Sequence, residues 1–246
     1  VLVIVRSYCI YINICMLLRE LTEARVEPDA KFMAGIERAI DKANAEYSEF
    51  LQNNNDVDDI DELGDILNHY TARLPIEFEV IDDPRQDPNE WISAEAGVSD
   101  DGEFMTFFLF SDNLKGKYGP KTFKDLLMQA IKHEAIHWNQ YGRIGYDKLG
   151  KIKSGHQKGQ ELMKKTGDPK DWMRSYLSDP HELMAYASDL ATEIKQLDDP
   201  ENALRNPERY KEQLPSYARY RQVFEPNSRE LRQLLKYTAD YFTTAQ

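Results

Sequence analysis

The chain has little cysteine. Its two, Cys9 and Cys15, both lie in the first fifteen residues, and none follows from Met16 onward. A disulfide framework or a thiolate zinc site is thereby excluded from the body of the chain, and a reducing, cytoplasmic setting is the expectation. Positive charge is also scarce, since 31 lysines and arginines face 43 aspartates and glutamates for a net charge of −12. A protein that grips a phosphate backbone needs a basic face, so nucleic acid is not an expected partner. No repeat and no Gly-rich phosphate loop is present. The opening "VLVIVRSYCIYINICMLL" is apolar but carries Arg6 and Asn13, is too short after the arginine for a membrane span, and lacks a cleavage site. Residues 1–15 read as translated upstream sequence before a working start at Met16, with a membrane anchor or a buried strand or helix as alternatives.

What is there suits a globular protein, with 41% hydrophobic and 30% charged residues in a chain long enough to bury a sizeable core. Residues 16–72 read as N-terminal helices. In "DAKFMAGIERAIDKANAEYSEFLQ", Phe32, Ile36, Ile40, Ala43 and Tyr47 recur along one face of a helix. "DVDDIDELGDILNHYTARL" follows as a second helix with an acidic first turn. Its Asp56, Asp58 and Asp61 lack the glycine and distal glutamate of a calcium loop, so a charged helix start is the better reading. "PIEFEVI", "WISAEAGV" and "EFMTFFLF" read as three short strands, largely antiparallel. "KTFKDLLMQAIKHEAIHWNQYG" is then a helix, with Thr122 and Asp125 as a capping pair, Phe123, Leu127, Ala130 and Ile131 on its buried side, and Gly142 to end it. A basic stretch with short helical patterns covers 143–178. "DPHELMAYASDLATEIKQL" is a further helix, with Asp179 as cap, Pro180 first, and Leu183, Ala187, Leu190 and Ile194 inward. The segment 199–246 reads as C-terminal helices, the last starting near Asn227 and Glu230.

Histidine is scarce as well, only five in the chain, yet two of them stand four apart in "HEAIH". Positions i and i+4 share a helix face one turn apart, so His133 and His137 can turn their imidazoles to one zinc ion at about 2.0–2.1 Å. Glu134 then reaches a water on the metal rather than the metal itself. Zinc lowers the pKa of such a water to about 7, and the glutamate can take its proton as it attacks a carbonyl. Two ligands and a base therefore come from five consecutive residues. The competing reading is a helix whose histidines bind nothing.

"HEAIH" preceded by strands and followed by a helix carrying "HELMAYASDL" resembles the zincin metallopeptidases, specifically the gluzincin group, over about residues 76–195. The resemblance implies a zincin-like α+β catalytic core, here 73–198, with a short sheet packed on the H-E-x-x-H helix. It implies zinc as cofactor, a peptide or protein as substrate, and a glutamate of the later helix as third ligand. That residue is Glu182, with His181 beside it as a rival ligand and Asp179 a more distant one. Glu182 could equally close a capping box with Asp179. The metzincin extension is excluded, because Gln140 and Arg143 stand where its glycine and third histidine belong. Peptide deformylases share the motif but add a cysteine, which this core lacks. Tyr186 replaces the aspartate that the thermolysin-like pattern has four residues after its ligand glutamate, and Asp189 is placed to orient a ligand histidine instead. The resemblance also implies an oxyanion partner, for which Tyr141, His156, Tyr176 and Tyr186 are candidates. It further implies that "EFMTFFLF" is an edge strand to which an extended substrate adds. "MLLRELTEA" is similar to openings of proteins from large tailed bacteriophages, which implies a host cytoplasm as location. The expected activity is thus a zinc-dependent peptidase, and the alternative is a zincin-like scaffold without turnover that serves as a phage structural or host-interaction protein.

Overall fold

The computed structural model describes residues 28–54, 59–82, 92–99, 102–115, 118–144 and 155–243. The apolar leader with both cysteines lies outside them, as do Asp56 and Asp58. The described residues form two compact units, divided in the chain between Trp138 and Asn139. The protein is mostly helical with one small sheet, an α+β arrangement.

The first unit holds α1 (Ala30–Asn53), α2 (Ile60–Thr71), β1 (Ile76–Ile81), β2 (Ile92–Ser99), β3 (Gly102–Phe110), the short α3 (Ser111–Leu114) and most of α4 (Pro120–Ile144). Helix α1 starts at Asp29, whose carboxylate accepts the Phe32 N–H at 2.7 Å. Its expected face is the observed one: Ile36, Ile40, Ala43 and Tyr47 are buried, and Phe32 packs on the same core. Asp59 caps α2 by accepting the Glu62 N–H at 3.3 Å, and Asp61 and Glu62 occupy the first turn, where the helix dipole favours negative charge.

All three expected strands are present, but the sheet is mixed rather than largely antiparallel. Its order is β1-β3-β2, and β3 pairs parallel with β1 and antiparallel with β2. Alternating apolar residues carry no strand direction; connection length does. Ser99 pairs with Gly102, so a two-residue link obliges β2 and β3 to run antiparallel, whereas residues 82–101 leave β1 and β3 free to run parallel. The expectation of "EFMTFFLF" as an edge strand is also overturned. As β3 it is the middle strand, with a ladder on either side, and has no edge left for a substrate. At the β1 edge, Asn68 of α2 fills in for a neighbour: it accepts the Phe78 N–H and donates to the Phe78 carbonyl, both at 2.9 Å.

Helix α4 contributes the stripe Phe123, Leu127, Ile131 and Ala135 to the core that Leu67 of α2, Phe78 of β1 and Phe107 of β3 complete. Complete burial of such a side chain stabilises by about 1.5–3 kcal/mol. The ends of α4 differ from expectation. Pro120 takes the first position, for which its fixed φ suits it, so Thr122 and Asp125 lie inside the helix rather than at its cap. Gly142 does not end it, and the helix continues to Ile144, because a helical glycine costs only about 1 kcal/mol relative to alanine.

The second unit contains the end of α4, then α5 (Gly155–Thr166), α6 (Pro169–Leu177), α7 (Pro180–Lys195), α8 (Pro200–Arg205), a 3-10 turn over Pro207–Gln213, α9 (Pro215–Arg221) and α10 (Arg229–Thr243). Its core gathers around α7, where Leu183, Ala187, Leu190 and Ile194 meet Tyr217 and Tyr220 of α9 and Leu231, Leu234 and Tyr241 of α10. Helix α10 is capped one residue later than expected, by Ser228, whose Oγ accepts the Leu231 N–H at 3.3 Å. Helices α5 and α6 approach closely at glycine: a Cβ on Gly159 would lie 2.8 Å from the Trp172 carbonyl oxygen. Among the described residues no helix is long and apolar enough to cross a membrane.

Candidate metal centre

At about 100° per residue, His133 and His137 lie some 40° apart around α4 and about 120° from its core-facing stripe. The stripe anchors the helix and leaves the histidine face available for chemistry. The two imidazole rings are 4.9 Å apart, centroid to centroid, and inclined at 69°. His137 is buried, His133 half-buried, and Glu134 beside it is 9% exposed. Burial at Glu134 suits a base that must act away from bulk water.

The helix that carries Glu182 is fixed at its start by Asp179. One oxygen of that carboxylate accepts the His181 backbone N–H at 3.0 Å and lies 3.3 Å from His181 Nδ1. The other accepts the Gly155 N–H at 2.8 Å. Burial opposes the charge on Asp179, but the side chain and backbone N–H of His181 outweigh it and hold the carboxyl below its ordinary range. The Asp179 N–H donates to the Tyr176 carbonyl at 3.0 Å. A capping box needs that N–H for its glutamate, so the cap is complete without Glu182. Within the same unit, the last turns of α4 reach the first turns of α7. Gln140, fully buried, donates to Met184 Sδ at 3.7 Å, and Tyr141 meets the His181 ring edge-on at 6.1 Å.

His133, His137 and Glu182 form a group able to hold a metal ion: one donor atom from each lies within 4.8 Å of the others. A tetrahedral ion with bonds of about 2.0–2.1 Å needs donors about 3.4 Å apart, a separation that side-chain rotation of about an ångström can reach. Two imidazoles and a carboxylate are also a donor set that catalytic zinc uses, three protein ligands with a fourth position for water or substrate. The residues fit the ion.

The other expected residues fall as follows. His181 is outside the clustered donors. Tyr186, one turn beyond Glu182, is buried in the second unit's core, with the Tyr220 ring 5.7 Å away edge-on and the Arg219 guanidinium 5.7 Å from its ring. Asp189, two turns beyond Glu182 on the same face, is buried at 5% exposure. Tyr176 stacks on Trp172 at 5.5 Å. His156 is the second residue of α5, and its side chain lies outside the described residues. Two contributors were missed from sequence. Gln140 entered only as the residue that breaks a longer motif, yet its place on the histidine face at the i+3 spacing from His137 was a usable signal. The bond from Gly155 to Asp179 had none, because it joins segments far apart in the chain. Compared with family models, curated proteins and solved structures, the chain matches none.

Proposed function

We propose that this chain is a zinc-dependent peptidase, a gluzincin-like hydrolase of peptide bonds. The observation that carries the reading is the meeting of His133, His137 and Glu182, residues that two separate helices supply, with donor atoms within 4.8 Å of one another. His133 and His137 would hold the ion through ring nitrogens and Glu182 through a carboxylate oxygen. Bound there, zinc supplies Lewis acidity, lowering the pKa of its water to about 7 and polarising the scissile carbonyl. Glu134 takes the proton of the attacking water as the new C–O bond forms. It then passes that proton to the departing nitrogen as the C–N bond breaks. The burial of Glu134 keeps this proton from bulk water. Asp189, buried on the Glu182 face of α7, is the residue we assign to orienting a ligand histidine.

The test pairs metal content with turnover. The purified protein is expected to hold one zinc per chain and to cleave dye-labelled unfolded casein. Glu134→Gln is expected to keep the zinc and lose on the order of 10²–10⁴ in rate, the usual contribution of a general base. Unchanged turnover in that variant, or zinc retained after joint His133→Ala and His137→Ala substitution, refutes the reading. Zinc without any cleavage by the wild type favours a scaffold over an enzyme.

A further inference from the structure

Gln140 is a fully buried amide on the face of α4 that carries the histidines, one turn beyond His137. A polar side chain is seldom buried completely, because an apolar one of the same size would enter the interior without the cost of leaving water. Its amide nitrogen donates to Met184 Sδ at 3.7 Å, and beside it Tyr141 meets the His181 ring edge-on at 6.1 Å. Both contacts reach α7 within two residues of Glu182. Met184 lies about 200° around α7 from Glu182, so the amide grips that helix away from the ligand carboxylate rather than adding a ligand.

A thioether accepts a hydrogen bond only weakly, so the pair contributes direction more than strength. Direction matters at this contact. Apolar side chains let two helices slide along each other, whereas a buried amide fits one register, as a single buried asparagine does in coiled coils. The metal centre depends on register. A slip of α7 by one residue would move Glu182 about 1.5 Å along the helix axis and turn it by about 100°. Metal–ligand distances hold to within about 0.2 Å. Gln140 shares α4 with His133 and His137, so its place relative to them is set by the helix itself. We propose that Gln140 is a positioning residue that sets α7 in register with the histidine helix, through Met184, and so delivers Glu182 to the ion. This inference rests on the metal centre of the peptidase reading.

The test measures zinc affinity by competition with a chromogenic chelator and, separately, the melting of the metal-free protein. Gln140→Met keeps the length of the side chain and removes its amide. It is expected to bind zinc about tenfold more weakly, the lower end of what supporting residues around a metal contribute. Its metal-free Tm should not fall, because an apolar group of similar shape replaces a buried polar one whose partner accepts only weakly. In a Glu182→Ala background, which lacks the residue through which Gln140 acts, the same substitution should change zinc affinity by less than about twofold. Met184→Leu, a swap that conserves volume, should weaken zinc to a similar degree and add little to Gln140→Met; it carries the comparison if Gln140→Met does not fold. A lower metal-free Tm with zinc affinity unchanged would give Gln140 a structural role alone and overturn the proposal. An equal loss of affinity with and without Glu182 would overturn it too. If the wild type holds no zinc, the metal reading falls and this inference with it; if wild type and Gln140→Met bind zinc alike, this inference alone falls.

Discussion

Glu182→Ala separates a ligand from a capping residue by size and by kind. As a mere cap, its loss would cost about 0.5–2 kcal/mol whether or not zinc is present. That outcome is not expected, because Asp179 caps α7 through the His181 N–H and its own N–H is engaged by Tyr176. As a ligand, Glu182 is one of three clustered donors among the described residues, the number catalytic zinc normally takes. Its removal should exceed the 10–100-fold loss typical of a group that merely orients a ligand, and we expect on the order of 10³ in affinity. At free zinc a thousand times the wild-type Kd, binding stabilises the fold by about 4.1 kcal/mol; the same zinc would stabilise the variant by about 0.4 kcal/mol. For a chain of this size each kcal/mol moves Tm by about 2–4 °C, so the zinc-induced rise should shrink by about 7–15 °C. Thermal unfolding with and without zinc measures this, and competition with a chromogenic chelator gives the affinity directly. An equal zinc-induced rise in wild type and variant, or a variant weakened only in the metal-free state, refutes the ligand role.

Three further outcomes are expected. Asp189→Asn, on the Glu182 face of α7, should lower zinc affinity or turnover about 10–100-fold while the metal still binds, as chelator competition and casein cleavage would report. Gly159→Ala should destabilise by about 1–3 kcal/mol in denaturant titration, because its Cβ would meet the Trp172 backbone, which cannot swing aside as a side-chain end can. Burial first, and then the hydrogen bond to Glu208 and the charge of that residue, push the Tyr217 phenol up to about 12. A raised pKa favours the folded state below the unfolded value near 10, and that contribution is lost as pH rises through 12. Wild type should therefore lose stability between pH 10 and 12 by more than Tyr217→Phe does, and identical pH profiles would contradict this.

The elements were legible where chemistry repeats within a few residues. Ile36, Ile40, Ala43 and Tyr47 recur at the helical period and are buried, and so are Phe123, Leu127 and Ile131. Asp179 followed by Pro180 marked the start of α7 correctly. The histidine pair was legible for the same reason, since one turn of helix brings His133 beside His137. Features set by distant segments were harder to read. Strand direction depended on connection lengths and strand order on long-range pairing, so the edge strand that the resemblance implied is the middle one. The start of α4 followed Pro120 rather than the nearer polar pair. Glu182 was legible only as one of several candidates, because its approach to the histidines is tertiary and no local period encodes it.

The amide of Asn68 has a consequence for how the protein behaves at high concentration. A strand at a sheet border offers alternate N–H and C=O groups to any extended chain that passes, and this is how folded proteins come to stack into fibres. By donating to and accepting from Phe78 at 2.9 Å, Asn68 closes that border in the middle of a six-residue strand. An incoming chain would have to break both bonds before it could form its own. One polar side chain on α2 thus acts as a guard against self-association, and replacing it with leucine should show first in the concentration at which the protein begins to aggregate.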